Sequence, residues 1–461
     1  MARQRVMTAG TGSASCGCRR RHVEFLIFFP RFPAFGASSL SGKACPSKAE
    51  TWPMTPERVV VINDTSFVQG GTAVLALESV RQIASQGIPV CFVCGDEGEL
   101  VEGAETIVSL GQRPLLERSR SEAMRLGFYN TAARDMLAGW IAENDTDGTI
   151  YHLHAWSQIL SPAVFSALRP VAQRVVVHCH DFFIVCPNGV FMDFGKDELC
   201  NRVPMTAGCI LSGCDKRSRL QKAWRVARQY RLRAAFDQRL PWGAVTMAHP
   251  GMAPFLTSGG IPQERLAVLR NPALPYTTDR IRAEENRKLL FVGRVEVEKG
   301  IRRLARAATA AGVELAVVGD GSVMGELSRD FPQVEFLGWR KASEIGEIAR
   351  SCRALAMPSR MRETFGLVAA EASGSGLPVI ASDMALVAEE IAERGLGWSY
   401  RANDEADLMR VLIEMRDMPA EEMRRMSERA FAGESALALS PPQWGEEMRA
   451  LYGRLLAAAR A

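Results

Sequence analysis

Short apolar, β-branched runs recur along the chain, each followed by a glycine-bearing polar stretch and then an amphipathic one. Val59-Val60-Val61-Ile62 is the first. Four consecutive apolar residues suit a strand buried on both faces of a parallel sheet, since a half-exposed strand would alternate. The polar loop 63–71 ends in Gly70-Gly71, a helix is expected over 72–86, Gly87 ends it, and Val90-Cys91-Phe92-Val93 is the next strand. This is a βαβ unit, and its repetition predicts a doubly wound parallel sheet. Further strands are expected at 150–153 and 175–178.

A second series begins after Asn271-Pro272, with strands at 289–292, 315–318, 334–337, 354–357 and 378–381 and a helix over 300–311. The chain is therefore expected to be α/β, with two Rossmann-like doubly wound domains facing a central cleft. The first spans 54–270 and the second 271–440, joined near 270–287. A terminal helix within 441–461, beyond Pro441-Pro442, is expected to pack back on the first domain. A length of 461 residues agrees with two cores rather than one. In open α/β sheets ligands sit at the carboxyl ends of the strands, so the cleft is the expected site.

Residues 1–53 break the pattern. Arg19-Arg20-Arg21 and Phe25-Leu26-Ile27-Phe28-Phe29 resemble the start of an export signal, but Pro30 and Arg31 end the apolar run well short of a membrane span. This segment is read as a disordered or non-native extension, with Met54 as the expected start.

Composition changes the picture little. With 47% apolar and 23% charged residues the chain is an ordinary folded protein, and a net charge of +4 supplies no bulk attraction for nucleic acid. Eleven cysteines without small-domain spacing fit a reducing, cytoplasmic setting.

The chemistry lies in loops after strands. Gly293-Arg294 follows one strand and Lys299-Gly300 opens the next helix. A guanidinium and an ammonium flanking a helix start suit a diphosphate. Gly319-Asp320-Gly321 and Gly338-Trp339 follow two further strands, where bare backbone lets a ring or phosphate come close. Glu363-Thr364-Phe365-Gly366-Leu367-Val368-Ala369-Ala370-Glu371 sets two carboxylates eight positions apart, around a helix expected over 365–374. Free amides at Gly366 and Leu367 can hold phosphate while the acids accept hydrogen bonds from hydroxyl groups on either side. Taken singly, each loop is an ordinary turn or a solvated face. Their order, each after a strand, is what points to a nucleotide sugar.

That series, continued by Gly376-Leu377-Pro378-Val379, resembles the retaining glycosyltransferases of family four, which have the two-domain GT-B fold. The resemblance is densest over 288–383. It implies a hexosyltransferase-like enzyme moving a sugar from a nucleoside-diphosphate sugar to a glycan or lipid-linked acceptor in cell-surface polysaccharide synthesis. Arg294 and Lys299 would bind the diphosphate, Glu363 the donor sugar, and Glu371 the ribose. Gly70-Gly71 would face the diphosphate, His180 in His180-Asp181-Phe182 would stand near the donor sugar, and His154 would line the cleft with Gly319, Gly321, Gly366 and Leu367. Transfer would need no cofactor and no metal. The alternatives are a nucleotide-sugar epimerase of the same fold and a non-catalytic nucleotide-sugar-binding partner.

Two features stand outside this frame. Cys186, Cys200, Cys209 and Cys214 crowd one segment; they are read as scattered thiols, with a structural zinc site as the alternative, although their spacing lacks the usual Cys-x2-Cys knuckle. Residues 216–233 are dense in Arg and Lys, with Leu220, Trp224, Ala227 and Ala234 at helical spacing. Such a helix either lies on anionic lipid, placing the protein on the inner face of the membrane, or packs on its own domain as a solvated helix.

Overall fold

The structure, a computed structural model, describes residues 5–8, 54–68, 70–433 and 436–460. The first half contains strands β1 (Arg5–Thr8), β2 (Arg58–Asn63), β3 (Val90–Cys94), β4 (Thr106–Ser109), β5 (Thr149–Leu153) and β6 (Val175–Cys179). A small antiparallel hairpin, β7 (Met192–Asp193) and β8 (Glu198–Leu199), precedes β9 (Ala244–Met247) and β10 (Leu266–Val268). Apart from the hairpin, these form one parallel sheet ordered β1-β4-β3-β2-β5-β6-β9-β10. The second half contains β11 (Lys288–Val292), β12 (Leu315–Val318), β13 (Glu335–Gly338), β14 (Cys352–Met357), β15 (Val379–Ser382) and β16 (Gly397–Tyr400). They make a parallel sheet ordered β13-β12-β11-β14-β15-β16.

Both sheets follow one rule. From a central strand the chain winds outward through two more, then returns to the other side of the first: β2, β3, β4 and then β5; β11, β12, β13 and then β14. The winding reverses between β2 and β5 and again between β11 and β14. At such a point adjacent loops leave in opposite directions, opening a crevice at the carboxyl ends of the strands. The central strands are fully enclosed, with Val59, Val60, Val61 and Ile62 all at 0% exposure, as their unbroken apolar run requires.

The expected elements appear within about three residues, but β1, β4, β7, β8, β9, β10 and β16 were not anticipated. They are only two to four residues long. Most of residues 1–53, read as an extension, lies outside the described residues. Arg5–Thr8 does not: it pairs in parallel with Thr106–Ser109 as an edge strand.

The last helix, Pro441–Arg460, begins at the two prolines rather than beyond them, since the first helical positions need no amide donor. Its Trp444, Met448, Leu451, Tyr452 and Leu456 are buried in one apolar cluster with Val59, Val61, Leu75 and Ile83 of the first half. The chain crosses between halves twice, and the two crossings pair: Ala273 N donates to Leu439 O at 3.1 Å and Leu439 N to Asn271 O at 3.2 Å.

Candidate active site

At the reversal point of the second sheet, the loop after β11 runs through the turn Val297–Lys299 to Gly300, which caps the helix Ile301–Ala310. Gly300 has φ +75°, and a Cβ there would stand 2.0 Å from the carbonyl oxygen of Pro358 in the loop after β14. Close contact of the two loops therefore requires glycine. Gly300→Ala is expected to destabilise the fold by about 1–3 kcal/mol from the left-handed backbone alone, with the clash added, as measured by chemical denaturation.

This contact brings Lys299 to Glu363. The ammonium pairs with the carboxylate, and the Ser359 hydroxyl donates to the same oxygen at 2.6 Å. The Glu363 backbone is pinned on both sides: its amide donates to Met384 O at 3.0 Å and its carbonyl accepts from Leu386 N at 3.0 Å. Burial pushes the Glu363 pKa up, but Lys299, Ser359 and Arg294 outweigh it and hold the group below the usual carboxylate range. Glu363 is thus a fixed, charged acceptor. Arg294 is exposed on the rim.

Gly319 and Gly321 also serve the packing of the loops. A Cβ on Gly319 would lie 1.8 Å from Gly293 O, and one on Gly321 2.3 Å from Val295 O. Their missing side chains allow the loops after β11 and β12 to touch.

Gly366, at φ +84°, caps the helix Leu367–Gly374, which starts two residues later than expected. The first amides of a helix have no partner within it, so this start presents donors. Glu371 lies one turn further in, half-buried beside Tyr276. Burial raises its pKa to about 7, against the pull of a hydrogen bond from Tyr276. The two glutamates are therefore unlike: Glu363 is charged and clamped, whereas Glu371 titrates near neutrality.

Opposite lies the reversal point of the first sheet, a cavity of about 240 Å³ lined by Asp64, Thr72, His154, Trp156, His180 and Asp181 among others. Gly70, at φ +84°, caps the helix Gly71–Ser85, and a Cβ on Gly71 would lie 3.6 Å from Leu367 Cδ1. The Thr364 hydroxyl donates to the carbonyl of His180 at 2.7 Å. These contacts set the two loop clusters face to face: Gly70-Gly71 against Leu367, and His180 beside the loop that carries Glu363.

His154 and His180 belong to a stack of four imidazoles from β5 and β6. His152 Nε2 lies 3.2 Å from His178 Nδ1, and His154 Nδ1 lies 3.2 Å from His180 Nε2. The two pairs lie one above the other, with the His178 and His180 rings 4.4 Å apart and 9° from parallel. Burial, and then repulsion among the rings, pushes His152, His154 and His180 well below the ordinary histidine range; His178, lowered by burial, falls to about 4. All four are neutral at pH 7. Nitrogens of His152, His154 and His178 come within 4.8 Å of one another.

Asp64, in the lining of this cavity, and Arg228, behind it, escaped the sequence. Asp64 accepts from the amides of Gln158, Ile159 and Leu160 at 2.8, 2.8 and 2.9 Å, tying the loop after β2 to the loop after β5. Arg228 donates to Ser157 O at 2.9 Å and stands 5.1 Å from the centre of the Trp156 ring. Burial lowers its pKa to about 10, and burial raises that of Asp181 to about 6. Only the position of Asp64 just after a buried strand could have signalled it.

Among the described residues the four cysteines do not gather closely enough to hold one ion. Lys222 Nζ lies 3.1 Å from Cys214 Sγ and 3.9 Å from Cys209 Sγ, and Cys186 lies within its electrostatic reach. Cys200 instead sits 3.5 Å from Arg202. An ammonium among the thiols repels a cation. One Asp-X-Asp triplet, Asp145-Thr146-Asp147, does occur, but it precedes β5 at the opposite end of the sheet, with Asp145 tied to Arg174 at 2.6 Å.

Two doubly wound parallel domains joined in this way have the GT-B fold. Anabaena Alr3699/HepE, solved in complex with UDP and glucose, matches the chain with a TM-score of 0.59 at 15% identity, covering 85% of this chain and 98% of that one. Residues 278–432, the second domain, match the family described as glycosyl transferases group 1. The chain is 41% identical over 93 residues to the GDP-mannose-dependent alpha-mannosyltransferase of Mycobacterium tuberculosis, covering 20% of this chain and 24% of that protein. It is 25% identical over 275 residues to a glycogen synthase of the same organism, covering 54% and 62%. The chain thus spans less than two thirds of the length of either relative.

Proposed function

We propose that the chain is a glycosyltransferase that moves a sugar from a nucleoside-diphosphate sugar to a glycan or lipid-linked acceptor. In this reading transfer retains the anomeric configuration and serves cell-surface polysaccharide assembly on the cytoplasmic side. The observation that carries it is the bond from Thr364 to His180, which holds the Lys299–Glu363 pair and the Gly366 helix start against the His154–His180 cavity.

The diphosphate lies between the free amides at Gly366 and Leu367 and the charges of Lys299 and Arg294, which stabilise the departing phosphate. Glu363 accepts hydrogen bonds from hydroxyl groups of the sugar, and Glu371 from the ribose diol. The neutral His180 orients the sugar from the opposite wall. The acceptor hydroxyl attacks the anomeric carbon from the side the phosphate leaves, and the leaving phosphate oxygen takes its proton. Positioning and charge stabilisation account for the rate.

Because these side chains supply the positive charge, activity is expected to survive exhaustive chelation. Loss of turnover that manganese restores would contradict this. A melting-temperature screen against UDP-, GDP-, ADP- and dTDP-sugars tests the reading as a whole. One donor is expected to stabilise the fold by about 2.7 kcal/mol at a hundredfold excess over its Kd. No response to any of them would overturn the proposal, and donor epimerisation without an acceptor would replace transfer with an isomerase.

A further inference from the structure

The helix Arg219–Ala235 backs the candidate site through Arg228, which donates to Ser157 of the cavity lining, yet its other side faces water. Lys222, Val226, Gln229, Leu232 and Ala235 are buried. Leu220, 73% exposed, and Tyr230, 55% exposed, stand with Ala223, Ala227 and Ala234 along the outer stripe, at i, i+3, i+7, i+10 and i+14. Thus most of the apolar set visible in the sequence points outward, and only Trp224 turns to a neighbour. Trp224 Nε1 donates to Met124 O at 3.0 Å and docks the helix Arg120–Phe128 alongside. That helix exposes Met124 and Phe128, and the turn before it projects Leu116 at 71% exposure.

Charge frames these apolar side chains. Residues 216–235 contain eight Lys and Arg and no Asp or Glu. Arg113, Arg120, Arg125, Arg217 and Arg219 are exposed and make no ion pair among the described residues. Nearby, Glu122 is neutralised by Arg118, leaving Glu117 as the one exposed carboxylate of the turn.

We infer that this face, formed by the helices Arg120–Phe128 and Arg219–Ala235, docks on an anionic lipid surface. Unpaired arginines match headgroup phosphates, while protruding leucine, methionine and phenylalanine enter the layer beneath. A nucleic-acid backbone would satisfy the arginines but leave the apolar stripe wet. On the bilayer, the cavity would lie behind this helix, about one helix diameter (~10 Å) from the lipid, within reach of a lipid-linked acceptor. The docking itself does not depend on the sugar-transfer reading.

The test is flotation of the full chain with vesicles of phosphatidylcholine alone or mixed with phosphatidylglycerol. The chain is expected to float only with the anionic mixture, and less as salt rises. Arg217→Ala with Arg219→Ala is expected to weaken binding roughly thirtyfold, at about one charge's attraction each. Leu116→Asp with Leu220→Asp should abolish flotation while leaving the melting temperature and donor response unchanged, since both side chains are already in water. Flotation indifferent to lipid charge, or absent altogether, would overturn the inference. So would single-stranded DNA binding that the two leucine substitutions leave intact while the vesicles fail to compete.

Discussion

Lys299→Ala is expected to lower the rate of sugar transfer by on the order of 10²–10³-fold, the effect of removing one preorganised charge from a developing anion. The same substitution strips Glu363 of its ion-pair partner inside the cleft, so some stability is lost as well. The two effects separate in the double variant Lys299→Ala with Glu363→Gln. A neutral amide needs no cation, so the melting temperature should recover most of its loss, whereas turnover should stay low. Recovery of turnover together with stability would make Lys299 a structural residue only.

Donor binding is expected to weaken about tenfold between pH 8 and pH 6, because a group with a pKa of about 7 must be ionised to accept hydrogen bonds from the ribose. Glu371 protonates as the pH falls through that value, and a protonated acid has lost acceptor capacity. Glu371→Gln should flatten the profile and set affinity near or below that of the parent at pH 6. Stability of the unliganded fold should run the opposite way. A pKa raised by folding favours the folded chain below the ordinary carboxylate range, and that advantage is lost as the pH rises towards 7. Titration calorimetry at several pH values gives the binding profile, and a slope that persists in Glu371→Gln would assign it to another group.

Much of the fold was legible because parallel strands buried on both faces carry an unbroken apolar signature, as at Val59 to Ile62. The short strands Ala244–Met247 and Gly397–Tyr400 lack it, since four residues with a polar member resemble any loop edge. In the candidate site, the order of loops marked Lys299, Glu363 and Gly366, and the structure brings Lys299 and Glu363 into contact. What the sequence hid was long-range: Asp64 reaches 94 to 96 positions along the chain to its amide donors, and Arg228 meets Ser157 across 71. Helical spacing revealed the apolar stripe at 216–233 but not which way it faced, because burial of Lys222 and Gln229 inverts the usual rule. The cysteine segment left zinc open as an alternative for a related reason, since the lysine that stands among its thiols lies eight residues beyond the last of them.

The central claim is that one helix start and Lys299 grip the pyrophosphate of a nucleotide sugar across the cleft, while Glu363 beside Lys299 holds the sugar. A crystal structure with the responding nucleoside diphosphate tests it most directly. The β-phosphate should lie within about 3 Å of Lys299 Nζ and of the amides at Gly366 and Leu367, with the ribose at Glu371. Phosphates bound away from the Leu367–Gly374 helix, or a ribose far from Glu371, would contradict it.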